Sequence, residues 1–531
     1  MTQTRNSRSR LFEAAQTIFG SVQVWIFICA VMAAQISFAQ GVTGRIVGTA
    51  SDSNGAAIPN AKVTVTNQGT GSNTPLVTDS TGSFRANNLP PGNYQVRIEA
   101  PGLATVISKD NVVTVDSATE VALTMKVGSS TESVTVTGAA PLVDPTSSSL
   151  GEVLDANEVT TLPLDGRVFS QLVQTVPGSV ASGFGSAAEA AAGAGSTGSI
   201  TASVNGMPWG GTTYTLDGVN NMELLNAFIN VTPPLDSIQE IKVSTNNADS
   251  TVGTYGGAQV NAFIKSGTNA FHGSAYEYFR NDSLNAYNWG ATSKAPFRAN
   301  QFGASIGGPI LRNKAFFFMD YQGLLLRNGI SYLLTVPTTL MTQGTFLKSQ
   351  FPNAIYDPTT QAPFPTVTTP QGDAWQIPVD RFDPVSAKIV TGNTIWPAAT
   401  NQAVTSNNYS ANTVEPDNNH QFDVKVDYQL QNGDRVFARE SYQQRDLSAP
   451  SPGTPFVQIG DVNAQTQDHN SALGYDHVFS PTFLNELRLG FNRFQTVDFG
   501  NDRGTNENTA VGIPNGNDAA FGATGFGNFS I

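Results

Sequence analysis

The sequence predicts a mainly β chain: a small sandwich first and, much later, membrane-spanning antiparallel strands. Three observations predict it. Charged residues make up only 13% of the 531 residues, and 50 Gly supply turns, whereas an average globular protein is about 25% charged. Short runs over residues 41–127 alternate apolar and polar side chains between turn signals. Finally, Phe422, Val424, Val426, Tyr428 and Leu430 alternate with Gln421, Asp423, Lys425, Asp427 and Gln429, as in a strand with lipid on one face and water on the other. A hydrophobic content of 39% is too high for a disordered chain.

Arg5, Arg8 and Arg10 precede an apolar stretch, Ile18 to Ala34, and then Ser37-Phe38-Ala39. Positive, apolar and small-residue regions in that order read as a secretory signal peptide over residues 1–39. The other reading, a membrane anchor, meets a stretch bounded by Gln23 and Gln35, short of the ~20 residues a spanning helix needs. Cleavage removes three Arg and one Glu, so the net charge of −13 becomes −15. It also removes Cys29, the only cysteine, so the exported chain holds itself by sheet pairing and burial rather than disulfides. Cys29 follows Ile26-Phe27-Ile28 and lacks the small residue a lipidated cysteine would follow.

Residues 41–127 contain Lys62 to Thr66, Tyr94 to Ile98 and Val121 to Met125 as alternating runs, separated by Ser53-Asn54-Gly55, Asp79 to Gly82 and Pro90 to Asn93. Such turn residues tolerate tight or left-handed backbone. About seven strands fit a small antiparallel sandwich, Ig-like or prealbumin-like. The order "IPNAKVTV" then "TDSTGSFRANNLPPGNYQVRIEAPG" resembles the carboxypeptidase regulatory-like domain. The resemblance implies an accessory or binding domain. No peptidase site goes with it, since His272, His420, His469 and His477 all lie downstream without a zinc-ligand spacing.

Residues 128–149 read as a linker carrying Glu132, Ser133, Val134, Thr135, Val136 and Thr137 before Pro141. This β-branched run is open to two readings. It is the last strand of the sandwich, or it is a free strand that pairs with the sheet edge of a periplasmic partner.

Over residues 150–270, Leu162 to Phe169 start a short helix with Phe169, Leu172, Val173 and Val176 at helical spacing until Pro177-Gly178. An Ala/Gly/Ser run, Ser182 to Gly198, reads as a loop. Asp217-Gly218 reads as a hairpin turn, and Gly256-Gly257 as a close backbone approach where a packed body meets the wall around it. The segments "LDGRVFSQLVQTVPG", "YTLDGVNN", "SIQEIKV" and "YGGAQVNAFIKSGTNAFHGSAYEYFRND" together resemble the plug domain of TonB-dependent outer-membrane receptors, in the Oar-like branch with a leading carboxypeptidase regulatory-like module. The resemblance implies a mixed α/β plug and makes Asn205, Gly206, Asp217, Gly218, Glu240, Tyr255, Gly256, Gly257, Ser266, Gly267 and Asn269 structural plug residues. Asp217 reads as a turn carboxylate before a ligand, and Glu240 and Lys242 as bridges from plug to barrel wall.

Residues 271–531 read as barrel. Asn432-Gly433 turns the 421–430 strand into Arg435 to Gln443. Leu473, Tyr475, His477 and Phe479 alternate again before Ser480-Pro481-Thr482, and Leu487, Leu489 and Phe491 return. His477 takes an interfacial aromatic-girdle position. Phe302 to Ile310 and Phe316 to Tyr321 are earlier, less regular strands, and the 84 residues from Pro337 to His420 read as a long extracellular loop. The 261 residues after Ala270 less those 84 leave 177, fewer than the ~200 that ~22 strands of ~9–11 residues require. The barrel is therefore expected to be incomplete, an amino-terminal portion with about eight to ten strands.

The acidic balance and pI near 4.7 exclude a nucleic-acid partner, because phosphate binding needs a basic face. No catalytic residue, metal or cofactor is expected. The resemblance implies an outer-membrane transporter or receptor with the sandwich in the periplasm. Its partners would be outer-membrane lipid, a TonB-type energy-transducing inner-membrane protein bound at 132–137, and a large ligand such as an oligosaccharide or peptide. The competing reading is a secreted or surface β-rich adhesion or carbohydrate-binding protein. Amino-terminal sequencing of the mature product is expected to begin at Gln40, and finding residues 1–39 intact would contradict the leader.

Overall fold

The computed structural model describes residues 43–517, apart from 129–132, 138–149, 182–201, 208–209, 224–226, 247–255, 287–293, 295, 391–395, 431–433, 449–462, 481–482, 501–502 and 515. The leader, most of the linker, the Ala/Gly/Ser run and the Asn432-Gly433 turn lie outside the described residues.

The sandwich comprises β1 (Gly44–Asp52), β2 (Lys62–Asn67), β3 (Asn73–Val77), β4 (Ser83–Leu89), β5 (Gly92–Glu99), β6 (Thr105–Val113), β7 (Ala118–Met125) and β8 (Ser133–Thr137). One sheet runs β4-β1-β7 and the other β3-β2-β5-β6-β8. Alternate side chains of both sheets meet in a core that includes Ile46, Val63, Val65, Phe84, Val96 and Met125. The expected purely antiparallel order is corrected: β1 pairs parallel with β7, and β6 pairs parallel with β8. Parallel neighbours need crossover connections, so the local turn signals could not show them.

The plug comprises β9 (Leu150–Asp155), β10 (Ser179–Ala181), β11 (Ala202–Val204), β12 (Thr213–Leu216), β13 (Val219–Asn220), β14 (Ile238–Asn246) and β15 (Gln259–Ile264). Its main sheet runs β13-β12-β15-β14-β9. β15 is buried at every position, as a central strand covered on both faces must be. The expected helix is a 3₁₀ segment, Phe169–Thr175, that buries Phe169, Leu172 and Val173. A six-residue α-helix, Ala156–Thr161, precedes it. Asp155 caps that helix by accepting from the N–H groups of Asn157 and Glu158, and the Glu158 carboxylate accepts in turn from the Asp155 N–H.

The wall is a seven-stranded antiparallel sheet. Its first strands are β16 (His272–Asn281), β17 (Phe297–Leu311) and β18 (Ala315–Leu334). A small loop sheet, β19 (Thr345–Leu347), β20 (Thr366–Thr369) and β21 (Gly372–Gln376), intervenes before β22 (Tyr409–Gln429), β23 (Arg435–Leu447), β24 (Asn463–Ser480) and β25 (Phe483–Phe499). Seven strands among the described residues replace the expected eight to ten. The reason is strand length: β18 and β22 run 20 and 21 residues, about twice the ~9–11 that cross a bilayer. Their far halves carry the loop and its small sheet. That loop is not featureless. Asn408 is fully buried at its neck, where its amide accepts from the Val336 N–H and donates to the Val336 carbonyl.

The alternation at 421–430 is realised as expected. Phe422, Val426 and Tyr428 face outward at 39%, 38% and 43% exposure, whereas Gln421, Asp423, Lys425 and Asp427 are buried against the plug. His477 sits in a ring ladder with Tyr475 and Phe479, near Phe483, at the end of the wall with the short turns. There it also meets the carboxylate of Asp434.

Because the sandwich closes its own core and residues 41–137 contain no Cys or His, a fragment of residues 41–137 is expected to unfold cooperatively in urea and to be indifferent to chelators. Ending the fragment at 127 removes the β8 edge and should lower the midpoint while keeping the transition. A fragment that is unfolded, or that refolds only with zinc, would contradict this.

Candidate functional site: the junction of plug, wall and sandwich

Asp217 is the centre of the junction. β12 stops at Leu216, and Asp217 (φ 48) and Gly218 (φ 79) make a left-handed two-residue turn into β13, the geometry of a tight hairpin. The turn aims the carboxylate at the wall. There it lies 3.0 Å from Lys425 Nζ and 2.9 Å from Arg439 Nε, with the Asp217 side chain only 3% exposed. Lys425 also donates to the Ile264 carbonyl, and Arg439 to the carbonyls of Asn470 and Leu216. These extra acceptors matter because buried charges repay their desolvation only when their other hydrogen-bonding sites are filled.

Uncharged contacts extend the same interface. The side-chain amide of Asn470 donates to the Asn220 carbonyl, that of Asn492 to the Met222 carbonyl, and the Thr232 N–H to Gln443 Oε1. On the β16 side, Gly166 (φ 72) and Arg167 (φ 55) turn the chain sharply. The Arg167 guanidinium pairs with Asp236 at 2.6 Å, donates to the Tyr278 hydroxyl and lies 4.2 Å over its ring. Sequence reasoning took this stretch only as a helix start and missed the latch. The one signal was an Arg beside a Gly in a turn.

Ser266, Gly267 and Asn269 lie where β15 leaves for the wall. A Cβ on Gly267 would stand 2.3 Å from the Phe317 carbonyl oxygen and 2.5 Å from that of Gly308, so the plug backbone touches the wall here. The expected approach at Gly256-Gly257 occurs instead inside the plug, where a Cβ on Gly257 would stand 2.6 Å from the Gly211 oxygen. Asn269 ties three units. Its side chain exchanges hydrogen bonds with Asn313 of the wall turn, and its N–H donates to the Gly69 carbonyl of the sandwich. Asn205 (φ 54) and Gly206 (φ 75) form another left-handed turn, held by a bond from the Asn205 amide to the Thr245 carbonyl. Tyr255 lies outside the described residues.

Glu240 and Lys242 do not bridge to the wall. They face the sandwich: β14, between β15 and β9 in the plug sheet, runs below the β6–β7 turn. Glu240 Oε1 accepts from the Val115 N–H at 2.7 Å, and Lys242 pairs with Asp116. Burial pushes the Glu240 carboxyl up to about 7, against the opposing pull of the Val115 N–H and Lys242. Of the segment 132–137, Ser133 to Thr137 pair in parallel with Thr105 to Lys109 of β6, and Glu132 lies outside the described residues. No group of three or more His, Cys, Asp or Glu is placed to hold a metal among the described residues.

A polar-lined wall sealed by a latched plug, with a separate sandwich in front, is the architecture of an outer-membrane receptor. The family models agree. Residues 263–531 match the outer membrane beta barrel domain and residues 45–126 the carboxypeptidase regulatory-like domain. The chain belongs to the outer-membrane β-barrel family and carries a leading carboxypeptidase regulatory-like domain. It is 25% identical over 304 residues to the TonB-dependent transporter Oar of Myxococcus xanthus, covering 54% of this chain and 27% of that protein's length. Among solved structures it is similar to a mutant of the ferric enterobactin receptor PfeA of Pseudomonas aeruginosa, at 12% identity and a TM-score of 0.35, covering 65% of this chain and 40% of that one. The siderophore receptor PirA of the same organism gives 12% identity, a TM-score of 0.30, and 66% and 48% coverage. The assignment rests on the sequence matches. It places the protein in the outer membrane, with the sandwich in the periplasm.

Removing Asp217 would strand two buried cations, a loss of about 3–5 kcal/mol. Asp217→Ala is therefore expected to speed hydrogen exchange of plug strands β12 to β15 by two orders of magnitude or more in the full-length receptor. Replacing all three groups together (Asp217→Ala, Lys425→Met, Arg439→Leu) should restore most of the protection. Unchanged exchange in Asp217→Ala would show that the ion pairs do not hold the plug.

Proposed function

We propose that this chain supplies the periplasmic sandwich, the plug and the first wall strands of a TonB-dependent transporter that moves a large ligand, of oligosaccharide or peptide class, across the outer membrane. The observation that carries the reading is the buried contact of Asp217 with Lys425 and Arg439. A lumen closed by a plug with charged latches is shut at rest and needs work to open. The outer membrane offers no ATP or ion gradient of its own, so that work comes from the inner membrane through a periplasm-spanning partner.

The partner's grip is assigned to Glu132, Ser133, Val134, Thr135, Val136 and Thr137. The support is position, between the sandwich and the first plug strand β9, and the capacity of a β-branched strand to join a partner sheet through its main chain. In the resting chain Ser133 to Thr137 lie on β6, so coupling either adds to this edge or peels it off. Main-chain recognition tolerates side-chain trimming but not loss of a donor. In the full-length receptor, Val134→Pro is expected to abolish crosslinking to the energy-transducing protein while leaving barrel assembly unaltered, and Val134→Ala to change crosslinking less than twofold. Crosslinking that survives Val134→Pro would leave this segment as the last sandwich strand alone.

A further inference from the structure

The sandwich touches the plug and wall at few points, all at the end of the wall with the short turns. The loop between β6 and β7 presents Val115 and Asp116 to β14. Val115 packs on Phe263 of β15, both nearly fully buried. The turn after β2 meets Asn269 through Gly69, and Thr43 donates to Glu486 of β25 at 2.7 Å. Between these contacts remains a cavity of about 460 Å³. Its floor is sandwich, including Asn67 and Tyr94, and its other sides are plug at Ser266 and wall at Asp427 and Arg435.

We propose that the sandwich is a releasable lid over this cavity, clamped to plug strand β14 by Val115 and Asp116, so that this side of the periplasmic mouth opens only when the clamp lifts. The contacts differ in kind from the plug's latches. The Asp116 side chain is 52% exposed, and exposed ion pairs hold weakly, whereas the Asp217 pairs are dry. The lid is therefore the first joint to yield and the plug the second. β14 is a suitable place to grip, because Glu240 and Lys242 lie opposite Asp155 and Val153 of β9, the strand that the linker enters. A lid seated there also holds the plug edge in register.

Glu240 makes the clamp sensitive to protons. Asp155 of β9 and Lys242 on its own strand act on it, Lys242 being paired in turn with Asp116 of the sandwich, and its carboxylate is buried under Val115. A carboxyl whose affinity for protons is raised by docking favours the docked state when protonated. Docking is thus strongest below the ordinary carboxylate range and weakens as pH rises through about 7.

The lid rests on the reading that cargo leaves past the plug, but its test needs neither cargo nor energised partner, so the two can fail separately. Cys29 is the one cysteine of these 531 residues, and the labelling background is a receptor in which it and any further cysteine are replaced. Ser266→Cys in the full-length receptor therefore reports access to the cavity by its rate of reaction with a membrane-impermeant methanethiosulfonate. Adding Lys242→Glu is expected to raise that rate at least tenfold, and Asp116→Lys with Lys242→Glu to bring it back within about twofold of the starting value. At pH 8.5 relative to pH 6, the rate divided by that of a Glu240→Gln version should rise several-fold, the division removing the thiol's own pH dependence. A rate unaltered by Lys242→Glu, or not restored by the swapped pair, would overturn the clamp. A flat ratio would overturn the part assigned to Glu240.

Discussion

A wall strand with lipid on one side needs a polar partner on the other. The inward row of β22 carries Gln421, Asp423, Lys425 and Asp427, all nearly fully buried. Charges in that position, if not hydrated in an open channel, must be matched by the body that fills the channel. The plug matches Lys425 through Asp217 and the inward side chains of β23, β24 and β25 through Thr232, Asn220 and Met222, whereas Asp423 and Asp427 are met within the wall by Ser441 and Arg435. Wall and plug are therefore not separable designs: the sequence of each makes chemical sense only against the other.

That dependence grades the joints of the molecule. Where the plug meets the wall, the charges are buried and further donors of Lys425 and Arg439 reach backbone carbonyls, so opening strands buried ions. Where the sandwich meets the plug, the contacts among the described residues are one buried carboxylate, one half-exposed ion pair, one apolar contact and the Asn269 N–H on the Gly69 carbonyl. Under the proposed function, a pull arriving from the periplasm meets the weaker joint first. The arrangement gives an order of events without any moving part beyond rigid units and their side-chain contacts.

What was legible in the sequence was local. Alternation at 421–430 became β22 with its faces as read, Asp217-Gly218 became the hairpin between β12 and β13, and the sandwich turns fell between strands. What was not legible depended on partners distant along the chain. Glu240 meets Val115, 125 residues away, and no period or spacing distinguishes a residue that faces a sandwich from one that faces a wall. The parallel pairs β1–β7 and β6–β8 come from crossovers, which leave no turn signature. Gly267, not Gly256 or Gly257, marks the contact of plug with wall, because a glycine's neighbours are set by tertiary packing alone. The loop between β18 and β22 looked irregular because its sheet is built of strands only three to five residues long, too short for a period to show.

The central claim is that one face of the β16–β25 sheet meets lipid and the other meets the plug. Nitroxide labels placed singly at positions 421 to 428 of the full-length receptor, reconstituted in bilayers, test it most directly. Labels at the even positions should collide freely with molecular oxygen and poorly with a water-soluble nickel chelate, and those at the odd positions should collide poorly with both. Even positions open to the nickel chelate would place that face in water. Odd positions open to it would show a hydrated channel in place of a plug.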